Sequence, residues 1–427
     1  MFSLSYILTH KLFKHSIIYT VSGVIGRSIP FLLLPVLTRY LNPSEYGIVS
    51  MFEILLAILV VLVGLNMPSA VGITYFKLDR EEFREYIGNA ALLILISFAF
   101  FLGLAFFLGK PIGTLINTPA ILVVAAVAAA GCKTVFLGMS SIWRVEQQPL
   151  KFGVFQISWL AADIGLSLLL IVLLGLRWEG RILGIVISLA VFALISAVIL
   201  KRNNYVLFRF RREYIRDALF FGFPLIPHML GGILMTGIDR FFINSMVNVA
   251  ATGIYTVGYQ VGMIINVLTT SFNLAWAPFL LNKLNQNNPG AKITIVRFTY
   301  LYFISVLLLA LALTFAAPYL LKIFVGEEFQ SASRYVGWVA FGYAAYGMYF
   351  MVVNYIFYVK KTYLLAAVTF GSALINMILN YILIKAHGPI GAAQATTITF
   401  VLVFIAVWWL SARVYSMPWS LKYVLKR

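Results

Sequence analysis

The chain reads as an all-α polytopic membrane protein of about 12 transmembrane helices, in two six-helix bundles related by a repeat, and three observations predict it. Hydrophobic residues make up 62% of the 427 and charged residues 11%, with mean hydropathy +0.95, whereas soluble domains carry roughly a quarter charged residues. Apolar stretches of about 20 residues, each able to cross about 30 Å of hydrocarbon as a helix, recur from end to end. Features of the first half also return in the second.

Apolar windows between charged or turn-rich punctuation place helices at 16–38, 46–75, 87–109, 119–142, 152–175 and 182–200, then at 218–244, 251–281, 296–320, 334–358, 362–384 and 391–413. The first begins behind His10, Lys11, Lys14 and His15 and runs past Pro30 to Leu37. It lacks a short core followed by a small-residue cleavage site, so it reads as a retained helix. The division that follows is an N-terminal bundle at 1–200, a basic cytoplasmic linker at 201–217, a C-terminal bundle at 218–413 and a basic cytoplasmic tail at 414–427.

A formal charge of +18 would suggest nucleic acid in a soluble protein. Here 22 of the 32 Lys and Arg fall in alternate segments on one side and 7 on the other, with Arg27, Lys133 and Arg240 inside spans. That asymmetry places both termini in the cytoplasm and leaves no call for nucleic acid. The linker, KRNNYVLFRFRREYIRD, reads as an anchor that touches anionic lipid headgroups. Trp178, Tyr205 and Trp419 read as interfacial belt residues.

The repeat is weak but visible. Arg39 precedes SEYGIVS and Arg240 precedes ATGIYTV, each after the first helix of its half. Those helices carry Pro30 with Pro35 and Pro224 with Pro227, and proline in corresponding helices of two repeats points to bent helices along a transport pathway.

No loop exceeds about 20 residues, and the sequence holds no GxxxxGK[ST], no HExxH and no outer acidic cluster. ATP-driven pumping and metal hydrolysis are therefore not expected, and no catalytic residue, metal site or cofactor is assigned. Cys132 is the single cysteine, so no disulfide forms within the chain.

Ionisable groups at span depth cost several kcal/mol on insertion scales and mark function by default. Six stand out: Arg27, Glu53, Lys133, Asp163, Asp239 and Arg240. Arg27 and Lys133 lie three or more turns from either helix end, too deep to snorkel. They either face a water-filled cavity and hold an anionic group, or form structural ion pairs with Glu53 or Asp163. Gln156, Trp159, Asp163 and Ser167 share one helical face and point to a polar interior. His228 and Asp239 also share a face, and with Glu53 and Asp163 they are candidates to take a coupling proton or sodium ion. Asp239 and Arg240 read better as a headgroup-level pair or helix-end anchor. Tyr255, Tyr259, Asn266 and Asn273 form one polar stripe, and Ser372, Asn376 and Asn380 another. With Arg240 and Gln156, their Tyr and Asn members either line a lumen or bind helices together.

At LLLPVLTRYLNPSEYGIVSMFE, Leu32 to Glu53, and again at GIDRFFINSMVNVAATGIYTVGYQ, Gly237 to Gln260, the chain resembles the polysaccharide-biosynthesis (Wzx-type, O-antigen) flippases of the multidrug/oligosaccharidyl-lipid/polysaccharide exporter superfamily. Length, twelve spans and two halves match across the chain. The resemblance implies a bacterial inner-membrane protein, not an enzyme, that moves an undecaprenyl-diphosphate-linked oligosaccharide to the periplasmic leaflet for surface polysaccharide assembly. It further implies alternating access between two bundles, a cationic lumen, an H+ or Na+ gradient, and a polysaccharide polymerase and chain-length regulator as partners beside membrane lipid. Arg27 and Lys133 would then suit the diphosphate. A drug/cation antiporter of the same superfamily would be expected to lack these deep cations, a lipid II flippase to carry two further helices, and a non-transporting scaffold to carry no in-span charge.

Overall fold

The computed structural model describes residues 31–285 and 289–420, and these are almost entirely helical. Eleven helical segments among them are long and apolar enough to span a bilayer, and each overlaps one expected span. Of the expected first helix, 16–38, only residues from Phe31 on are described, as α1 (Phe31–Tyr40).

The described residues form two units, one of 31–41 with Glu45–Gly237 and one of Asn42–Ser44 with 238–285 and 289–420. Each exposes bulky apolar side chains such as Phe107 and Phe315 outward, as lipid-facing surfaces require.

The first unit contains α2 (Pro43–Gly64), α3 (Met67–Thr74), α4 (Arg80–Leu115), α5 (Ile121–Val145), α6 (Pro149–Leu168), α7 (Arg177–Arg202) and α8 (Arg212–Gly222). The stretch expected as one helix at 46–75 is two. Leu65 and Asn66 adopt left-handed backbone with φ 46° and 56°, and Pro68 opens α3, since proline cannot continue the preceding hydrogen-bond ladder. Helix α4 starts seven residues earlier than expected because Asp79 and Glu82 form a capping box: Glu81 N and Glu82 N both donate to Asp79 Oδ1 at 2.9 Å. Its 36 residues extend about 54 Å at 1.5 Å per residue, well beyond the hydrocarbon. Stacked Phe136 and Phe155, with ring centroids 5.1 Å apart, centre an aromatic core.

The segment read as a linker is part of this unit. Leu207 N donates to Arg84 O at 3.0 Å, Asn89 Nδ2 to Arg209 O at 2.8 Å and Arg211 N to Asn89 Oδ1 at 3.0 Å. Buried Glu85 pairs with Arg209 at 3.2 Å and Arg211 at 3.0 Å. From Arg212 the chain is already helical as α8, and Pro224 sits in the 3-10 turn Phe223–Leu225 between α8 and α9 (Ile226–Met246).

The second unit takes the C-terminal part of α9 with α10 (Val249–Gly262), α11 (Ile264–Asn285), α12 (Pro289–Phe324), α13 (Ser333–Tyr358), α14 (Tyr363–His387) and α15 (Ile390–Val414). Helices α13 and α15 form its centre, each with many small buried residues that allow close backbone approach. Beyond α15, Trp419 packs against Trp408 and its carbonyl accepts from Tyr300 Oη at 2.7 Å.

Candidate functional site

Each unit buries a charged cluster, and in each a pair of glycines four residues apart draws the helices together beside it. In the first unit Gly180 and Gly184 face α6: a Cβ at Gly184 would lie 2.4 Å from Ser167 Oγ, and one at Gly180 would lie 3.1 Å from the Leu170 carbonyl carbon. The small-residue face carries Arg181 inward, where it is 6% exposed. Arg181 Nη1 donates to Asp163 Oδ1 at 2.9 Å, Asp163 Oδ2 at 3.1 Å and Ser167 Oγ at 2.8 Å, and Nη2 to Glu53 Oε1 at 3.4 Å. A turn earlier on α7, Arg177 pairs with Glu45 at 3.0 Å.

Lys133, midway along α5, lies in the electrostatic field of Glu53 and Asp163. Among the described residues its ammonium has no hydrogen-bond or ion-pair partner, and it is half-buried. Two cations and two carboxylates thus make the cluster neutral, with unequal commitments. Asp163 is held bidentate, while Glu53 makes one long contact and its side chain is 45% exposed.

In the second unit Gly258 and Gly262 press α10 onto α13, where a Cβ at Gly258 would meet Ala332 O at 2.6 Å and one at Gly262 would meet Val339 Cβ at 2.6 Å. Asp239 is 2% exposed. It accepts from the buried Tyr255 hydroxyl through a short hydrogen bond and from Arg240 N at 2.9 Å. The Arg240 guanidinium lies over the Tyr259 ring at 4.7 Å, and Tyr259 Oη meets Tyr343 Oη at 2.5 Å. Among the described residues no side-chain ion pair joins Asp239 to Arg240.

The sequence candidates divide accordingly. Glu53, Asp163 and Lys133 do converge, and Gln156 is half-buried two turns below Asp163 on the same helix. Arg27 lies outside the described residues. Asp239 and Arg240 form no headgroup-level pair or helix-end anchor: the tyrosines of α10 and α13 enclose the carboxylate. His228 is exposed on the part of α9 that belongs to the first unit and does not share the setting of Asp239.

Tyr255 and Tyr259 are buried against the charges, whereas Asn266 accepts from Thr270 Oγ1 at 3.1 Å and Asn273 from Asn354 Nδ2 at 3.5 Å. Asn376 donates to Thr399 Oγ1 at 3.2 Å and Asn380 to Asn376 O at 2.9 Å, so both join α14 to α15 or stabilise α14 itself. Tyr205, expected as a belt residue, is half-buried and donates from its hydroxyl to Glu146 at 2.7 Å.

Arg181 and Tyr343 escaped the sequence reading. Arg181 fell in an outer loop because α7 was begun at 182. The spacing of Gly180 and Gly184 around it, and Tyr343, Tyr346 and Tyr349 at helical intervals, were the available signals.

Comparison with known proteins places this architecture. A family profile described as "Polysaccharide biosynthesis protein" matches residues 12–282, and one described as "MatE" matches residues 224–382. An "Uncharacterized membrane protein" of Haemophilus influenzae is 28% identical over 377 residues, 86% of this chain and 88% of that protein. Among solved structures, an inward-facing multidrug resistance MATE family transporter of the MOP superfamily has TM-score 0.73 at 16% identity, covering 91% of this chain and 94% of its own. The lipid II flippase MurJ, inward closed, has TM-score 0.73 at 17% identity, covering 97% and 90%.

Proposed function

Because the chain belongs to the polysaccharide biosynthesis protein family, within the MOP superfamily of transporters, we propose that it is a flippase for an undecaprenyl-diphosphate-linked oligosaccharide. In this reading it carries that lipid from the cytoplasmic to the periplasmic leaflet of a bacterial inner membrane by alternating access, with both termini cytoplasmic and a proton or sodium gradient as the drive. The observation that carries the reading is Lys133, a mid-span ammonium with no partner among the described residues beside carboxylates already engaged by Arg181. A structural ion pair would use its cation, whereas an ammonium left over at this depth is matched by an anion that comes and goes.

The parts take distinct roles. Arg181, planar and always charged, fixes Asp163 and Ser167 and so sets the wall against which Lys133 works. Lys133, a compact charge on a flexible stem, receives the diphosphate. Glu53 takes the coupling ion, being the carboxylate with the most exposure and the fewest bonds. Asp239 holds the second unit together instead.

The experiment is translocation of a fluorescent polyprenyl-diphosphate oligosaccharide in proteoliposomes, with and without imposed proton and sodium gradients. Wild type should flip it in response to one gradient, Lys133→Gln should slow flipping at least ten-fold, and Glu53→Gln should abolish the response to the gradient. Gradient-driven movement of organic cations without movement of the lipid would replace this reading with that of a drug antiporter.

A further inference from the structure

At the basic end of the first unit, away from the buried cluster, a cavity of 650 Å³ opens between the start of α4, the start of α6 and the chain leaving α7. Arg80, Arg84 and Lys151 line it together with Asn203, Asn204 and Tyr205, over a floor made by the Tyr75 and Phe83 rings, 5.1 Å apart and edge to face. Two carboxylates also line it, and both are engaged. Asp79 Oδ1 caps α4, and Glu146 accepts from Tyr205 Oη at 2.7 Å and from Gln148 Nε2 at 2.9 Å. Burial first, and then the bond to Glu146, raise the Tyr205 hydroxyl above the ordinary phenol range, so it remains the donor in that bond.

The cations are not engaged. Among the described residues none of Arg80, Arg84 and Lys151 has an ion-pair partner, and Arg84 Nε is fully buried without a hydrogen bond. The charge of the Arg84 side chain, which lines the cavity, is thus left without a protein anion. Three cations against two carboxylates leave the lining at net +1, the complement of one monoanion.

The wall is rigid. The extended segment 205–211 is tied to α4 by Arg84 O, Glu85 and Asn89, and Gly88 allows the contact, since a Cβ there would lie 2.2 Å from Leu207 O. The cavity also sits where the apolar runs of α4 and α7 give way to charge, between Glu85 and Ile87 on one and at Lys201 on the other. On the same segment Phe208 and Phe210 point outward, 74% and 71% exposed, as interfacial aromatics do.

We propose that this cavity binds a singly charged phosphate group at the membrane surface, presented by an anionic glycerophospholipid headgroup or as free phosphate. The guanidinium of Arg84 supplies the directed donors, and Arg80 and Lys151 supply charge from the rim.

The test uses the full chain purified in detergent and measures the apparent melting temperature during titration with phosphatidylglycerol, phosphatidylcholine or inorganic phosphate, with native mass spectrometry to count retained lipid. Phosphatidylglycerol should stabilise saturably and phosphatidylcholine should not. Arg84→Gln/Lys151→Gln should bind phosphatidylglycerol at least ten-fold more weakly, while Lys110→Gln, at the other end of α4, should behave as wild type. Equal stabilisation by inorganic phosphate, lost in the same double variant, supports the site with free phosphate as its ligand. Should the double variant not fold, Lys151→Gln alone, at an exposed position, should still weaken binding. Unchanged phosphatidylglycerol affinity in the folded variants, or equal binding of phosphatidylcholine, overturns the proposal.

Discussion

In the first unit the buried guanidinium and carboxylate come from different helices and meet through Arg181 Nη1, which donates to both oxygens of Asp163, whereas in the second Asp239 and Arg240 are neighbours in sequence and attract each other with no side-chain hydrogen bond between them among the described residues. Successive residues on a helix do not face one another. Asp239 therefore finds Tyr255, and Arg240 finds the face of Tyr259. That cluster is closed by aromatic hydroxyls from two further helices. The first cluster stays open: once Arg181 has taken Asp163, half-buried Lys133 has no hydrogen-bond or ion-pair partner among the described residues and the Glu53 side chain is 45% exposed. Both clusters are held by the same device, a Gly-x-x-x-Gly face, so the difference lies in the partners and not in the packing. A closed cluster fixes a fold; an open one can hold a ligand and release it.

The comparison breaks first at Arg181. Arg181→Ala removes the hydrogen-bonded cation from buried Asp163 and should cost about 3–5 kcal/mol, read as the largest fall in apparent melting temperature in detergent. Arg181→Lys should recover only part of it, because a single ammonium can take the place of Nη1 on Asp163 and Ser167 but cannot at once take that of Nη2 on Glu53. If Arg181→Ala melts like wild type, the first cluster is not held as described.

Tyr255→Phe removes the hydroxyl donor from a fully buried carboxylate and should cost about 1–3 kcal/mol. Its effect on transport should do no more than follow the loss of folded protein. Gly184→Ala and Gly258→Ala should each cost about 1–3 kcal/mol by overpacking, and a clear difference between the two would show that the shared device is not shared. At the small end, Asn376→Ala removes one hydrogen bond between α14 and α15 and should cost about 0.6 kcal/mol with transport intact; a large loss of transport in folded protein would return Asn376 to the pathway.

The spans were legible because lipid forces every crossing segment to be apolar and helical, so hydrophobicity alone recovered the described ones. Local breaks were legible too, though unread: the Asn66 and Pro68 spacing marks the end of α2, and Asp79 with Glu82 marks the start of α4. Side-chain partners were not. Periodicity reports which face Asp163 occupies but not which helix lies opposite. A helix begun five residues late left Arg181 in a loop, although its flanking glycines mark a packing face. Asp239 was misjudged for a related reason: nearness to a helix end in sequence says nothing of how many tyrosines from α10 and α13 surround it.

Equilibrium binding of a polyprenyl-diphosphate oligosaccharide to purified wild type, Lys133→Gln and Asp239→Asn, with folded fraction matched by melting curves, tests the division of roles most directly. Lys133→Gln should weaken binding about ten-fold or more, as loss of a charged hydrogen bond implies, with little change in melting temperature. Asp239→Asn should melt earlier and bind as wild type does. Wild-type affinity in Lys133→Gln, or loss of affinity confined to folded Asp239→Asn, would contradict the account.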